Sequence, residues 1–342
     1  MDARVRHPVS IMEVCGTHTM AIGRHGLRSR LPAGLRLISG PGCPACVTPC
    51  ELIDTAIVMS REPGVTLLSF GDMMRVPGTQ STLSREKAAG HDIRVIYSPS
   101  DALDLAEAEK ERLFVLLGIG FETTSPSVAA MLIDARDKAA RNIFVLPAFK
   151  LVPPAMAALV SNRRALIDGF LCPGHVSAII GCGPYESLAH DMSVPCVITG
   201  FEALDILKGV VMLLEQIDSE RAAVEVQYTR AVPRMGNPTA MDLSARVFRP
   251  CDSYWRGIGL ISKSGLELRD DYAVYDARAR IDVEAPPARD LAEGCSCGDV
   301  MSGLLAPTEC PLFGKACDPC HPVGPCMVSS EGACAAYHRY GE

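Results

Sequence analysis

Six short apolar runs, each ending near a turn signal, constrain the fold of this chain more than any other feature. They are LRLISG (35–40), VTLLSF (65–70), IRVIYS (93–98), RLFVLLGIGF (112–121), NIFVLPAF (142–149) and CVITGF (196–201). Runs of this length and composition suit strands buried on both faces of a parallel sheet. Helix-like stretches separate them, among them SDALDLAEAEKERL (100–113) and SPSVAAMLIDARDKAA (125–140), whose Ser-Asp and Ser-Pro openings suit helix starts. Alternation of this kind predicts an α/β fold with parallel sheets and function at the carboxyl ends of the strands. The 342 residues suit two or three domains. The pattern predicts one α/β domain over 1–100, a second over 101–230 and a different, Cys-rich segment over 231–342. Within that last segment EAPPARD (284–290) reads as a connector.

Composition excludes several classes. Apolar residues make up 48% of the chain, enough for a sizeable core. Acidic residues outnumber basic ones 40 to 33, and the net charge of -7 argues against broad nucleic-acid binding. The longest apolar stretches fall short of the ~18–20 residues a membrane helix needs. MDARVRHPVSIMEVCG has no apolar signal core, so export is not expected. A cytoplasmic enzyme or assembly factor fits best.

Cysteine usage is anomalous. Of 15 cysteines, seven fall in the final 48 residues. In a reducing compartment such a cluster reads as a metal or redox site before a disulfide scaffold. The tail runs Cys295-x-Cys297-x12-Cys310-x6-Cys317-x2-Cys320-x5-Cys326-x7-Cys334. Seven thiols exceed what one tetrahedral zinc uses, whereas a four-iron cluster takes four and leaves others free. The segment has too few large apolar residues to build a core unaided, and a bound cluster could substitute for one. A zinc ribbon is the plainer reading.

Four further motifs follow predicted strands. Cys15-Gly-Thr-His18-Thr19 places a thiol and an imidazole three apart after the apolar IMEV. Read alone, it equally describes a buried structural cysteine beside a surface histidine. Ser39-Gly-Pro-Gly-Cys43-Pro-Ala-Cys46 sets a Cys-x-x-Cys at the start of an expected helix, where amides and the helix dipole favour thiolates. Cys50 would lie on the same helix as a bystander. Cys15, His18, Cys43 and Cys46 together offer soft ligands for iron or zinc, and a closed structural zinc site could use the same four. Gly118-Ile-Gly120-Phe-Glu122-Thr-Thr resembles a phosphate-cradling turn but lacks a Walker lysine, so Glu122 could instead orient groups or move protons. Cys172-Pro-Gly-His175-Val-Ser177 puts one more histidine in a tight turn after a strand.

CGTHT (15–19), GPGCPAC (40–46), GFETTSP (120–126), PGHVS (173–177) and CPLFGKAC with VGPCMVSSEGACAAY (310–337) together resemble the HypD family of [NiFe]-hydrogenase maturation factors. The resemblance spans essentially the whole chain. It implies two Rossmann-like three-layer α/β domains plus a small C-terminal iron–sulfur domain. It implies a scaffold, rather than an ordinary turnover enzyme, on which an iron ion receives two cyanides and one carbon monoxide. The partners implied are the HypC chaperone, the cyanide donor HypE and, indirectly, the hydrogenase large subunit; the free protein is expected to be a monomer. Cys15, Cys43 and Cys46 fall on the family's essential thiols and iron ligands, with His18 beside them. The family's tail pattern falls on Cys295, Cys310, Cys317 and Cys334 as ligands of a [4Fe-4S] cluster, leaving Cys297 and Cys326 as a redox pair. Cys320 departs from the usual family sequence and could replace Cys317. A stand-alone thiol–disulfide oxidoreductase of the ferredoxin:thioredoxin reductase kind is the rival class, although it would have no use for Cys15, His18, Cys43 and Cys46.

Overall fold

The computed structural model describes residues 7–162, 165–287 and 292–341. The chain forms two compact units, and both are discontinuous in sequence. Unit 1 comprises Met1–Cys46, Val152–Pro238 and Glu293–Glu342; unit 2 comprises Val47–Leu151 and Thr239–Ala292.

Unit 1 opens with β1 (Val9–Glu13), α1 (Gly16–Arg24), β2 (Leu35–Ser39) and the single turn α2 (Pro44–Val47). The chain then builds most of unit 2: α3 (Cys50–Ser60), β3 (Val65–Ser69), α4 (Leu83–Ala88), β4 (Ile93–Val95), α5 (Pro99–Ala108), β5 (Leu113–Gly118), α6 (Ser125–Asp137) and β6 (Ile143–Pro147). It returns to unit 1 with α7 (Val152–Asn162), β7 (Gly169–Pro173), α8 (Gly174–Ile180), α9 (Glu186–His190), β8 (Cys196–Thr199), α10 (Ala203–Asp218) and β9 (Val224–Val226). Unit 2 is completed by α11 (Pro238–Val247), β10 (Phe248–Trp255), β11 (Gly259–Leu268) and α12 (Ala277–Arg280). The tail adds α13 (Cys297–Met301), α14 (Pro325–Val328) and α15 (Ala333–Tyr340) to unit 1.

The sheet of unit 1 has the order β2-β1-β7-β8-β9 and is parallel throughout. Its central strands β7 and β8 are buried at every residue, which is why their sequences are apolar without alternation. The edge strand β2 alternates buried Leu35, Leu37 and Ser39 with more open residues. Ile206, Val210 and Leu213, spaced to share one face of α10, join Ile11, Leu171 and Val197 in one core. Unit 2 holds a parallel sheet of order β4-β3-β5-β6 and an antiparallel ribbon, β10-β11. Leu68, Phe114, Leu116, Val128, Leu132 and Val145 form its core, to which the ribbon adds Phe248 and Leu268. In both sheets the strand order reverses, between β1 and β7 and between β3 and β5. Each reversal opens a crevice at the carboxyl ends of the strands.

The α/β class and all six predicted strands are present. The units, however, are drawn differently from the three consecutive segments expected. Residue 100 falls in the first turn of α5, where Ser98 and Asp101 form a capping box and Pro99 follows the cap. A strand–helix junction, not a domain boundary, produced the composition change there. The Cys-rich tail is no unit of its own: residues 293–342 belong to unit 1 and 239–292 to unit 2. Its helix α15 lies on α1, with Tyr340 against Gly23 and the Tyr337 ring 4.4 Å from the Arg28 guanidinium, so the tail borrows a core instead of building one. The connector EAPPARD lies partly outside the described residues. Cys50 is not on the Cys-x-x-Cys helix either. That helix ends at Val47, and Pro49 caps a new one.

In unit 2 the Arg61 guanidinium grips the Glu86 carboxylate through two hydrogen bonds of 2.8 and 2.7 Å. These bonds, helped by Ser81 and His91 against burial, lower the Glu86 pKa from 4.5 to about 2. A depressed carboxylate stabilises the fold above its unfolded pKa and loses that contribution as pH falls through the folded one. Glu86→Gln is expected to cost about 1 kcal/mol at pH 7, a value kept small because Arg61 is 44% exposed. Denaturant unfolding should show the difference shrinking between pH 4.5 and 2; a gap of constant size would contradict the assignment.

Candidate functional site

Every site residue expected from the sequence, except Glu122, belongs to unit 1. Cys15 follows β1 in extended conformation and caps α1 at the edge of the β1–β7 crevice. The loop after β2 lies directly against it. Gly40 N donates to Glu13 O at 2.7 Å and Gly16 N to Gly42 O at 3.0 Å. A Cβ on Gly42 would stand 2.3 Å from the Cys15 nitrogen, so only glycine allows this approach. The loop thereby delivers Cys43 and Cys46, which are joined as a disulfide.

A narrow cleft beside Cys15 is lined by Gly42, Cys43, Cys46, Cys326 and Glu331, among others. Cys46 Sγ lies 3.8 Å from the carbonyl of Pro325, the residue before Cys326. Cys326 Sγ is in turn 2.8 Å from Cys297 Sγ, and both thiols are buried. The tail therefore brings its expected redox pair to the Cys-x-x-Cys motif. Thr17 donates to Glu331 at 3.0 Å on the rim.

Burial governs the charges here. It pushes the Cys15 thiol up to about 12, while the amides of His18 and Thr17 at the start of α1 pull the other way. His18 is fully buried, and burial lowers its pKa to about 4, so the ring is neutral. Its Nε2 donates to Gly200 O at 2.9 Å and lies 3.0 Å from Thr199 Oγ1. Because a carbonyl only accepts, Nε2 carries the proton and Nδ1 a bare lone pair. That Nδ1 is buried without a hydrogen-bond partner. The His18 and His175 rings flank Phe201, at 4.8 and 4.0 Å between centroids. His18 thus ties α1 to the end of β8, and His175 stands at the exposed side of the stack.

Glu13 is the residue that sequence reasoning missed. Its carboxyl is wholly buried, accepts from Thr19 Oγ1 at 2.6 Å and from the Cys15 amide at 3.1 Å, and burial raises its pKa to about 7. A lone acid inside the apolar IMEV run was the available signal. Glu122 belongs to unit 2, nearly buried on the turn after β5 at that sheet's own strand reversal.

Five tail thiols lie close enough to act on one another's charge at Cys334. The pKa of Cys334 is raised first by burial and then by the charges of Cys297, Cys295, Cys310 and Cys317. Cys295 also contacts Cys297, lowering its pKa, while Cys326 and burial outweigh this and raise it. Cys317 is buried and Cys320 exposed. Among the described residues no three Cys, His, Asp or Glu side chains are grouped as a single ion's ligands would be. A four-iron cluster makes a different demand, since it binds each thiolate through a separate iron. Cys295, Cys310 and Cys317, whose charges act on Cys334, make with it four mostly buried thiols that suit that donor set. Among the described residues no helix is long and apolar enough to cross a membrane.

Comparison with known proteins agrees with the geometry. The family model described as "HypD: Hydrogenase formation hypA family" matches residues 1–341. The hydrogenase maturation factor HypD of Rhodobacter capsulatus is 45% identical over 345 residues, covering 100% of this chain and 92% of the relative. Its counterpart in Escherichia coli K12 is 44% identical over 338 residues, covering 97% and 89%. That of Azotobacter vinelandii is 42% identical over 347 residues, covering 99% and 91%. With the Cys-x-x-Cys loop, the strand-end thiol and the tail cysteines all placed in one unit, the chain belongs to the HypD family.

Proposed function

We propose that the protein is a [NiFe]-hydrogenase maturation factor on which an iron ion acquires two cyanides and one carbon monoxide, acting with a HypC-type chaperone and a HypE-type cyanide donor. One observation carries the reading: Cys43, Cys46 and Cys326 line one cleft, beside the strand-end Cys15. Cys15 is the anchoring thiol for the iron cargo. Cys43 and Cys46 add two soft ligands only when their disulfide is open, so their redox state gates the site.

Opening the disulfide needs two electrons, and the Cys297–Cys326 pair is placed to give them. The Cys326 thiolate attacks the Cys43–Cys46 bond and forms a mixed disulfide. Cys297 then displaces the second sulfur, leaving Cys297–Cys326 oxidised and Cys43 and Cys46 reduced. Release of cyanide from a thiocyanate likewise takes two electrons. A thiolate attacks the thiocyanate sulfur and expels cyanide, and a second thiolate closes the disulfide and frees the donor's thiol. Cys295, Cys310, Cys317 and Cys334 would hold a [4Fe-4S] cluster, which supplies electrons singly when bound. The oxidoreductase reading explains the tail pair but leaves Cys15 and the unpartnered His18 Nδ1 without a task.

Cys15→Ala should abolish the infrared bands of iron-bound cyanide and carbonyl in the complex with the chaperone while the fold survives; bands that persist would remove Cys15 as a ligand. Cys334→Ala and Cys317→Ala should each eliminate the broad visible absorption of the anaerobically purified protein. Cys320→Ala should retain it, and the opposite pattern for residues 317 and 320 would transfer that ligand to Cys320. Thiol trapping with mass spectrometry should find a linked Cys297–Cys326 peptide on oxidation that disappears on reduction. Persistent free thiols across roughly -180 to -320 mV would end the relay.

A further inference from the structure

A groove of about 680 Å³ runs along the outer edge of the unit 1 sheet, lined by Arg28, Arg36, Val300, Pro307 and Tyr337 among others. None of its lining residues is acidic. Arg28 is fixed in it, donating to Leu37 O and Ser39 Oγ at 3.2 Å with its guanidinium over the Tyr337 ring. Arg24, Arg30, Arg36 and Arg339 stand exposed on the elements around it, and none is ion-paired among the described residues. The sequence accounts for the charge: between Glu13 and Glu51 there is no acidic residue, although the whole chain carries a net charge of -7. A basic face on an acidic protein selects acidic partners that the remaining surface would repel.

Three residues that line the groove stand close in the chain to tail thiols. Val300 follows Cys297 by three residues in α13, and Tyr337 follows Cys334 by three in α15. Pro307 precedes Cys310 by three. Three of its walls are thus one short step in the chain from candidate redox or cluster cysteines. We infer that this groove is the docking face for an acidic one-electron carrier protein of the iron–sulfur class, which recharges the Cys297–Cys326 pair. The inference rests on the redox reading above. Two reduced carriers each give one electron, solvent gives two protons, the Cys297–Cys326 bond breaks to two thiols, and the carriers leave oxidised. Encounters of this kind use small, charge-steered interfaces, which a groove lined by Arg28 and the exposed Arg36, with further arginines on the elements around it, provides.

The test uses the full chain and a plant-type [2Fe-2S] ferredoxin as the acidic probe. At low ionic strength, titration calorimetry should detect binding of the oxidised probe. The double variant Arg24→Glu/Arg36→Glu should weaken binding about tenfold or more, and added salt should erase the difference. Reduced probe should generate the two thiols about tenfold faster in the parent than in the variant. Neutral dithiothreitol should reduce both at one rate, which also shows that the variant is folded. Equal binding or equal probe-driven rates in the two proteins would overturn the docking face. So would a short DNA duplex that displaces the probe from the parent with equal affinity, or a bound probe that leaves the disulfide intact. If dithiothreitol produces no paired thiols at Cys297 and Cys326, the redox reading itself falls and takes the docking face with it.

Discussion

The contact on which the site depends is made by an absent side chain. Gly42 lets the loop after β2 lie against the Cys15 backbone, closer than any Cβ would permit. The hydrogen bonds from Gly40 to Glu13 O and from Gly16 to Gly42 O fasten the loop to the β1–α1 turn. The result is that Cys15 and the Cys43–Cys46 disulfide, far apart in sequence, stand together at the carboxyl ends of two adjacent strands. Any larger residue at 42 would push the loop away and separate Cys15 from Cys43 and Cys46.

The sequence displayed the strands because burial on both faces leaves a continuous apolar run, a signal that needs no knowledge of neighbours. It could not display which sheet each strand joins. β1 and β7 pair across more than 150 residues, and the chain builds most of unit 2 in the interval. Alternation of strand and helix looks the same whether two domains follow one another or interleave. The ribbon β10-β11 was invisible for a different reason. Its exposed positions and a register shift between Cys251 and Ser253 break the strict alternation that marks a strand. The motif residues were legible as chemistry. Their convergence was legible only through the family resemblance, since spacing does not fix a cleft.

Glu13 shows how a buried acid can hold a turn that presents another residue. A carboxyl in the last position of a buried strand would ordinarily count against the strand. Here it is tolerated because the Thr19 hydroxyl and the Cys15 amide donate to it, and Arg28 contributes charge from nearby. Such a group holds the turn that presents Cys15. It does so through bonds that exist only once α1 has formed, so the sequence pattern alone offered no reason for its presence.

Three titratable groups at this turn share one property: the protein holds each toward its neutral form. Cys15 sits near 12, His18 near 4 and Glu13 near 7, and in every case burial is the leading cause. A site that kept its thiolate charged without a cation would carry an uncompensated buried charge, which is costly. Neutrality is the low-energy state of such buried groups, and on the proposed function a cationic cargo would change it, because a metal's charge would stabilise the thiolate that burial opposes. On the proposed reading, Cys15 would give up its proton to a metal–sulfur bond, and the resulting thiolate would offset part of the positive charge that the ion brings. Burial thus disfavours an empty ionised site. The same logic extends to the disulfide at Cys43 and Cys46: a closed bond keeps two more buried sulfurs uncharged.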